Sequence, residues 1–341
     1  MKSLIFSMDY NHQPLNIADF ILHLLVCSVL CNKNNLECVD VNIISDPRFM
    51  HTDPQLRSLL SHSNKKRKIY DIIQMLQLLP KVRCINFHDV PVESIDTFIC
   101  NTDQGQVYWP PLEKLRIHGY MFYDAVQFLS NYIIENKAYP YLEFSEYQTN
   151  YALQFYKNHA YPNVPVTVNL RGNKFFHGHR NALLNEWKHF FIRVANTYPV
   201  KFFIVGSFGE IDPEIAELDN VVYAKQYCTS IVDDMSLLSN SAFHLGNASG
   251  PSLLIYFSDK PYYIFNCDMK PHAHAYRGAL LVNPDSLQYA FATPHQNFGI
   301  VPETADEIYH QFEKIWNSRD WMGWASEYFY KRTPVDIPYW F

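Results

Sequence analysis

Short apolar runs and helix-period segments alternate along this chain, stop, and then begin again, and no other feature narrows the choice of fold so far. In the first half, strand signals at residues 4–8, 39–44 and 82–87 enclose helical patterns at 17–30 and 69–79. One long helix is expected over 111–136, and a Tyr-, Pro- and Asn-rich stretch over 137–164 reads as a closing helix plus a connection. The second half repeats the pattern, with strands at 166–170, 200–205, 221–223, 242–245 and 262–265 and helices at 183–196, 231–239 and from Pro251 onward. Such alternation gives a parallel sheet with helices packed on its faces. A chain of 341 residues exceeds what one core organises. We therefore expect an amino-terminal unit over 1–160, a carboxy-terminal unit over 161–320 and an aromatic tail over 321–341 packing back across both. Thr304 and Glu307 form a capping-box pair that opens the last helix, expected to run to about 317.

A hydrophobic content of 48% with 18% charged residues is that of an ordinary globular chain. The net charge of −6 argues against a general nucleic-acid binder, which would present a basic surface. One basic run, Lys65-Lys66-Arg67-Lys68, reads either as a solvated helix start or as a contact with an anionic acceptor or membrane headgroups. The tail, with Trp321, Trp324, Tyr328, Phe329 and Tyr330, reads as a docked terminal helix or as a partner or membrane contact. Seven cysteines without a Cys-x-x-Cys pair fit reduced core residues of an intracellular protein. Met1-Lys2 leads into a short strand, so no signal peptide is expected, and the longest apolar stretch, 20–31, contains His23 and is too short to span a bilayer. The expectation is a soluble cytoplasmic protein, with peripheral contact at the inner membrane face left open.

Open parallel sheets bind ligands beyond the carboxyl ends of their strands. That rule selects the 170–181 loop, the loop carrying Gly206 and Ser207, and the turn at 246–252. Asn247, Ser249, Gly250, Pro251 and Ser252 make that turn, and Pro251 is placed as a first helical residue. Free backbone N–H groups and the helix dipole there would cradle a phosphate or a polar sugar ring. Arg171 ends a strand, with His177, His179 and Arg180 on the loop behind it, and a guanidinium matches phosphate oxygens at any relevant pH. His177/His179 and His272/His274 have alternate spacing, but no acidic or cysteine partner stands at ligand spacing, so hydrogen bonding is expected and not metal ligation. Lys225 follows the strand at 221–224 and could reach the same crevice, while Asp233 and Asp234 are read as offsetting a helix dipole. Asp19, at the start of the first helix, is either its N-cap or a general base on an exposed loop. The chain lacks G-x-G-x-x-G after its first strand, a P-loop, a G-x-S-x-G elbow and any D-x-D.

Taken together, these residues resemble the GT-B glycosyltransferases, most nearly the heptosyltransferase-like group and related bacterial transferases of surface polysaccharide assembly. The resemblance is best over 164–317 and rests on Arg171, on Arg180-Asn181, on the glycine loop at 206–209, on the run from His244 to Pro251, and on the run from Pro302 to Ile308. It implies an α/β fold of two Rossmann-like domains facing across a cleft, the first for an acceptor and the second for a nucleotide sugar. It implies that Arg171, His179, Arg180, Gly206, Ser207, Lys225, Asn247, Ser249, Gly250, Pro251 and Ser252 hold the donor, with no metal and no cofactor beyond the nucleotide sugar as co-substrate. Asp19 would take the proton of a glycan or lipid-linked acceptor, although Ala18 stands where that group carries glycine. Two other readings stay open. One is a nucleotide-sugar epimerase of the same architecture, which needs no acceptor, and the other is a non-catalytic sugar- or nucleotide-binding protein.

Overall fold

Every residue of the first two strands is buried, as strands in a parallel sheet must be when helices cover both faces. The computed structural model describes residues 2–11, 16–45, 62–89, 106–116, 121–172, 178–267, 279–283 and 285–331. The chain divides into two compact units, Met1–Glu143 and Phe144–Phe341.

The first unit contains β1 (Ser3–Asp9), α1 (Ile17–Lys33), β2 (Cys38–Ile44), α2 (His62–Met75), β3 (Val82–His88), β4 (Val107–Trp109), α3 (Leu112–Arg116) and α4 (Phe122–Asn136). Its sheet runs β3-β2-β1-β4 and is parallel at each pairing. The chain builds outward from β1 to β3, then returns to β4 on the other side of β1. Loops therefore diverge where β1 and β4 end, the geometry that opens a ligand crevice. The single helix expected over 111–136 is two helices, α3 and α4, with 117–120 outside the described residues.

The second unit contains α5 (Glu146–Ala160), β5 (Val164–Asn169), α6 (Leu184–Ala195), β6 (Val200–Ile204), α7 (Pro213–Ala216), β7 (Val221–Tyr223), α8 (Ile231–Asn240), β8 (His244–Asn247), α9 (Leu253–Tyr256), β9 (Tyr262–Phe265), β10 (Leu280–Val282), β11 (Ser286–Tyr289), β12 (Gln296–Gly299), α10 (Ala305–Trp316) and α11 (Trp321–Ala325). The sheet order is β10-β11-β12-β9-β8-β5-β6-β7. Six strands from β12 to β7 are parallel, and β10 and β11 add an antiparallel edge. Growth from β5 to β7 and return to β8 puts the switch point between β5 and β8. Trp187 of α6 meets Phe190 and Phe191 of the same helix, these two meet Phe202 of β6, and Phe190 and Phe202 meet Phe312 of α10, to form an aromatic core on one face.

The division falls one helix earlier than the expected boundary at 160/161, because α5 packs on α8. Tyr156 Oη donates to Leu237 O at 2.7 Å and Ser236 Oγ to Gln148 O at 2.7 Å. Ser145 and Gln148 close a reciprocal capping box that starts α5 inside the second unit. At the opposite end, Trp321 packs at a tilt against Phe243, Phe329 meets Tyr156 edge-on, and Tyr328 Oη donates to Asn240 Oδ1 at 3.0 Å. These contacts of the tail all lie within the second unit, and 332–341 lie outside the described residues. Of the expected Thr304–Glu307 box, the forward half forms, since Thr304 Oγ1 accepts from Glu307 N. The Glu307 carboxylate instead accepts from Gln311 Nε2. Among the described residues no helix is long and apolar enough to cross a membrane.

Candidate functional site

The carboxyl ends of β5, β6, β8 and β9 carry a polar network. Two glycines make room here, one for a neighbouring strand and one for a loop carboxylate. Gly246 has φ +145° and lies so close to β5 that a Cβ there would stand 2.7 Å from Asn169 N. Gly206 has φ +155°, and its Cβ would meet the Glu210 carboxylate at 2.9 Å. Only glycine occupies such positions without strain.

Between them, Asn169 is buried at the switch point. Its Nδ2 donates to Val205 O at 2.8 Å, which leaves its Oδ1 buried with no partner. Beyond it, Arg171 and Arg180 stand together. Arg171 Nη1 donates to Asn181 Oδ1 at 2.6 Å, and Arg180 Nη2 donates to Ala248 O at 3.3 Å, on the 246–252 turn. Arg180 Nε is buried and has no partner. Burial, and then the Arg180 charge, hold the Arg171 guanidinium below its ordinary basicity, with Glu210 opposing. Arg171 and Arg180 are thus two mutually repelling, partly buried cations. The Glu210 carboxylate accepts from Gly172 N, Ser207 N and Ser207 Oγ, neutral donors that fix its position and leave its charge acting on Arg171.

The turn differs from its expected form. Pro251 does not open a helix; α9 begins at Leu253 and is one turn long, with Leu253 N and Leu254 N bonded to Gly250 O and Pro251 O. Those two amides are unavailable to a ligand, and so short a helix has little dipole. A charge-assisted hydrogen bond from arginine, about 1.5–3 kcal/mol, outweighs a terminal dipole of about 0.3–1 kcal/mol.

Asn247 is tied to Glu303 through its Nδ2, and its Oδ1 is buried with no partner. Its Nδ2 donates to Glu303 Oε1 at 2.8 Å, and Glu303 also accepts from Trp187 Nε1, Leu183 N and Asn266 Nδ2. Burial pushes the Glu303 carboxyl up, and the four donors pull it back. This knot fixes the ends of β8 and β9 against α6. Lys225 is likewise committed, pairing with the buried Asp234 at 2.8 Å and donating to Thr229 O at 2.6 Å and Ser230 O at 3.4 Å. These bonds use its three donors, so the expected reach into the crevice is not available. Ser207 serves the loop through Glu210, and Asp233 closes a capping box with Ser230. Ser249 and Ser252 lie 3.1 Å apart on the turn. The side chain of His179, and His177, His272 and His274 entirely, lie outside the described residues. Among those described, no group of three His, Cys, Asp or Glu side chains comes together as a cation site.

In the first unit, Asp19 is not the N-cap. Asn16 caps α1, its Oδ1 accepting from Asp19 N at 2.7 Å and its Nδ2 donating to Asp19 Oδ2 at 2.9 Å. Asp19 is buried, not exposed. Tyr10, which follows β1, is fully buried with no partner for its Oη; burial and then the Asp19 charge push its phenol well up. Asn169, Glu210 and Glu303 stand in or beside runs that the sequence singles out, but the sequence assigns them no individual role. Asn169 at a strand end was the readable one, while the other two act through partners brought by folding.

No family model and no curated protein matches the sequence. Solved structures do. The chain is similar to a family 9 glycosyl transferase from Veillonella parvula DSM 2008, with 12% identity and TM-score 0.51 over 94% of this chain and 92% of that one. It is also similar to the ADP-heptose lipopolysaccharide heptosyltransferase II of E. coli, with 11% identity and TM-score 0.53 over 92% of this chain and 98% of that one. At these identities the likeness establishes the fold, the α/β GT-B type expected from the sequence.

Proposed function

We propose that this chain is a glycosyltransferase that binds a nucleotide sugar on its second unit and transfers the sugar to a hydroxyl of a glycan or lipid-linked acceptor. The observation that carries this reading is the Arg171–Arg180 pair, held beside the 246–252 turn at the β5/β8 switch point. The neighbours of this fold include an enzyme named for ADP-heptose, which supports a nucleoside diphosphate sugar as donor. In the proposed reaction the acceptor oxygen attacks the anomeric carbon as the bond to the diphosphate breaks. Arg171 and Arg180, and not a divalent cation, meet the charge that grows on the leaving phosphate. Asp19, although buried and accepting from Asn16 Nδ2, is the carboxylate this reading assigns to take the acceptor proton. A lipid-linked acceptor would place the enzyme at the inner membrane face. Thermal-shift screening with ADP-, UDP-, GDP- and CMP-sugars tests the donor site: one class should raise the melting temperature, and Arg171→Ala should abolish the rise. No shift with any of them overturns the reading, and Asp19→Asn should leave donor binding intact while removing transfer.

A further inference from the structure

Beneath the 246–252 turn a file of polar groups crosses the interior of the second unit. Ser249 Oγ lies 3.1 Å from Ser252 Oγ, which lies 2.9 Å from His244 Nε2. His244 Nδ1 lies 3.2 Å from Thr167 Oγ1, itself 2.9 Å from Ser241 Oγ. Thr167, Ser241, His244 and Ser252 are fully buried, and Ser249 alone is partly exposed. Polar groups buried this deeply cost stability unless each is satisfied. Every member of the file has a partner, and its outer end is the ligand turn.

The direction of the hydrogens follows from the inner end. Leu238 O is one of the last carbonyls of α8 and lacks an amide four residues on, because Ala242 N donates to Pro165 O instead. Ser241 Oγ donates to Leu238 O at 3.0 Å, which fixes its hydrogen. Ser241 Oγ then accepts from Thr167. The other acceptor near Thr167 Oγ1, Phe243 O at 3.4 Å, would use the same hydrogen and give the same direction. Thr167 Oγ1 must therefore accept from His244 Nδ1–H. Burial pushes His244 down to about 3, so the ring is neutral with one N–H, and its Nε2 accepts from the Ser252 hydroxyl. With that hydrogen committed, two hydroxyl oxygens 3.1 Å apart attract only if Ser249 donates to Ser252.

We infer that Ser249 turns its hydrogen inward and meets a ligand with lone pairs only, so that the turn reads a ligand hydroxyl, on the transferred sugar or on the ribose. Phosphate oxygens, which present no hydrogen, are left to Arg171 and Arg180. His244 is the positioning residue that sets this polarity through Ser252. The inference rests on the donor-site reading given above.

Calorimetric titration tests it with three probes: the nucleotide sugar that stabilises the chain most in the four-class screen, its bare nucleotide, and inorganic pyrophosphate. Ser249→Ala should weaken the nucleotide sugar about two- to tenfold and leave pyrophosphate unchanged. A loss confined to the nucleotide sugar assigns the hydroxyl to the transferred sugar, and a loss shared with the bare nucleotide assigns it to the ribose. A loss shared with pyrophosphate, or no loss at all, overturns the inference. Two-bond proton–nitrogen NMR of His244, assigned with His244→Gln, tests the direction without any ligand. A neutral Nδ1–H ring between pH 8 and 5 is expected, and an Nε2–H ring overturns it. A wild-type chain that binds none of the probes overturns the donor reading and the ligand half of this inference together, while the tautomer still decides the direction.

Discussion

Glu303 takes four hydrogen bonds where almost no solvent reaches, so removing it strands Trp187 Nε1, Leu183 N, Asn247 Nδ2 and Asn266 Nδ2 at once. Each abandoned buried donor costs about 1–3 kcal/mol, part of which relaxation recovers. Glu303→Ala should therefore cost roughly 3 kcal/mol or more in denaturant unfolding followed by tryptophan fluorescence, and Glu303→Gln distinctly less. Lys225→Met distinguishes a structural lysine from a donor-binding one. It leaves Asp234 buried without its cation, so the melting temperature should fall while nucleotide-sugar affinity stays within about twofold, since ion-pair loss acts on folding alone here. A drop in affinity without a drop in stability would return Lys225 to the site. At this scale the sequence shows which residues carry charge but not what holds them. Arg171 and Arg180 are legible because strand end and loop are local features. Lys225 was misread because Asp234 faces it only after α8 forms. The role of Glu303 was invisible because Trp187 is 116 positions away.

Where Gly246 of β8 meets Asn169 of β5, the two backbones approach with no Cβ between them. Alanine at Gly246 would drive its Cβ into the Asn169 backbone at a φ that L-residues avoid, and backbone cannot move aside as a side-chain tip can. Gly246→Ala should cost several kcal/mol, on the order of the worst core substitutions, or prevent folding of the second unit. Gly209→Ala, with nothing within 4 Å of the added carbon, should change the melting temperature by no more than a degree or two. Circular dichroism melts of the two variants make the comparison. Most elements were readable, because a buried parallel strand is a continuous apolar run and an amphipathic helix repeats every 3.6 residues. Strand β4 and the β10–β12 meander escaped notice, since three or four residues are too few to show a period. The one-turn α9 was overcalled as a helix from Pro251 because Ser, Gly and Pro signal a turn as readily as a helix start.

Among the described residues each unit buries one neutral histidine, and the two should respond unequally to acid. Burial holds His23 near 4 and His244 near 3, so the unfolded chain, titrating near 6.5, binds a proton that the folded state refuses. Stability from each is present above about pH 6.5 and lost as pH falls, by up to about 1.4 kcal/mol per pH unit. Asp234 opposes this in the second unit. Its carboxyl is raised to about 6, so its folded form takes up a proton first and stabilises as pH falls from 6 toward 4. Hydrogen exchange at pH 7.0 and 5.0 should show protection in α1 falling more than protection in α8, and His23→Phe should flatten the response of the first unit. Equal loss in both units would count against it. The arrangement of α5 has a consequence for how the polypeptide is made. The first unit is complete once residue 143 has emerged, and it can settle while translation continues. Helix α5 leaves the ribosome next, yet Phe329, which covers its Tyr156, is synthesised last among these parts, roughly 10 to 40 s later at ordinary elongation rates. Throughout that interval a nascent helix with an uncovered apolar stripe waits for its lid, so the second half of the molecule is the part that would call on a chaperone.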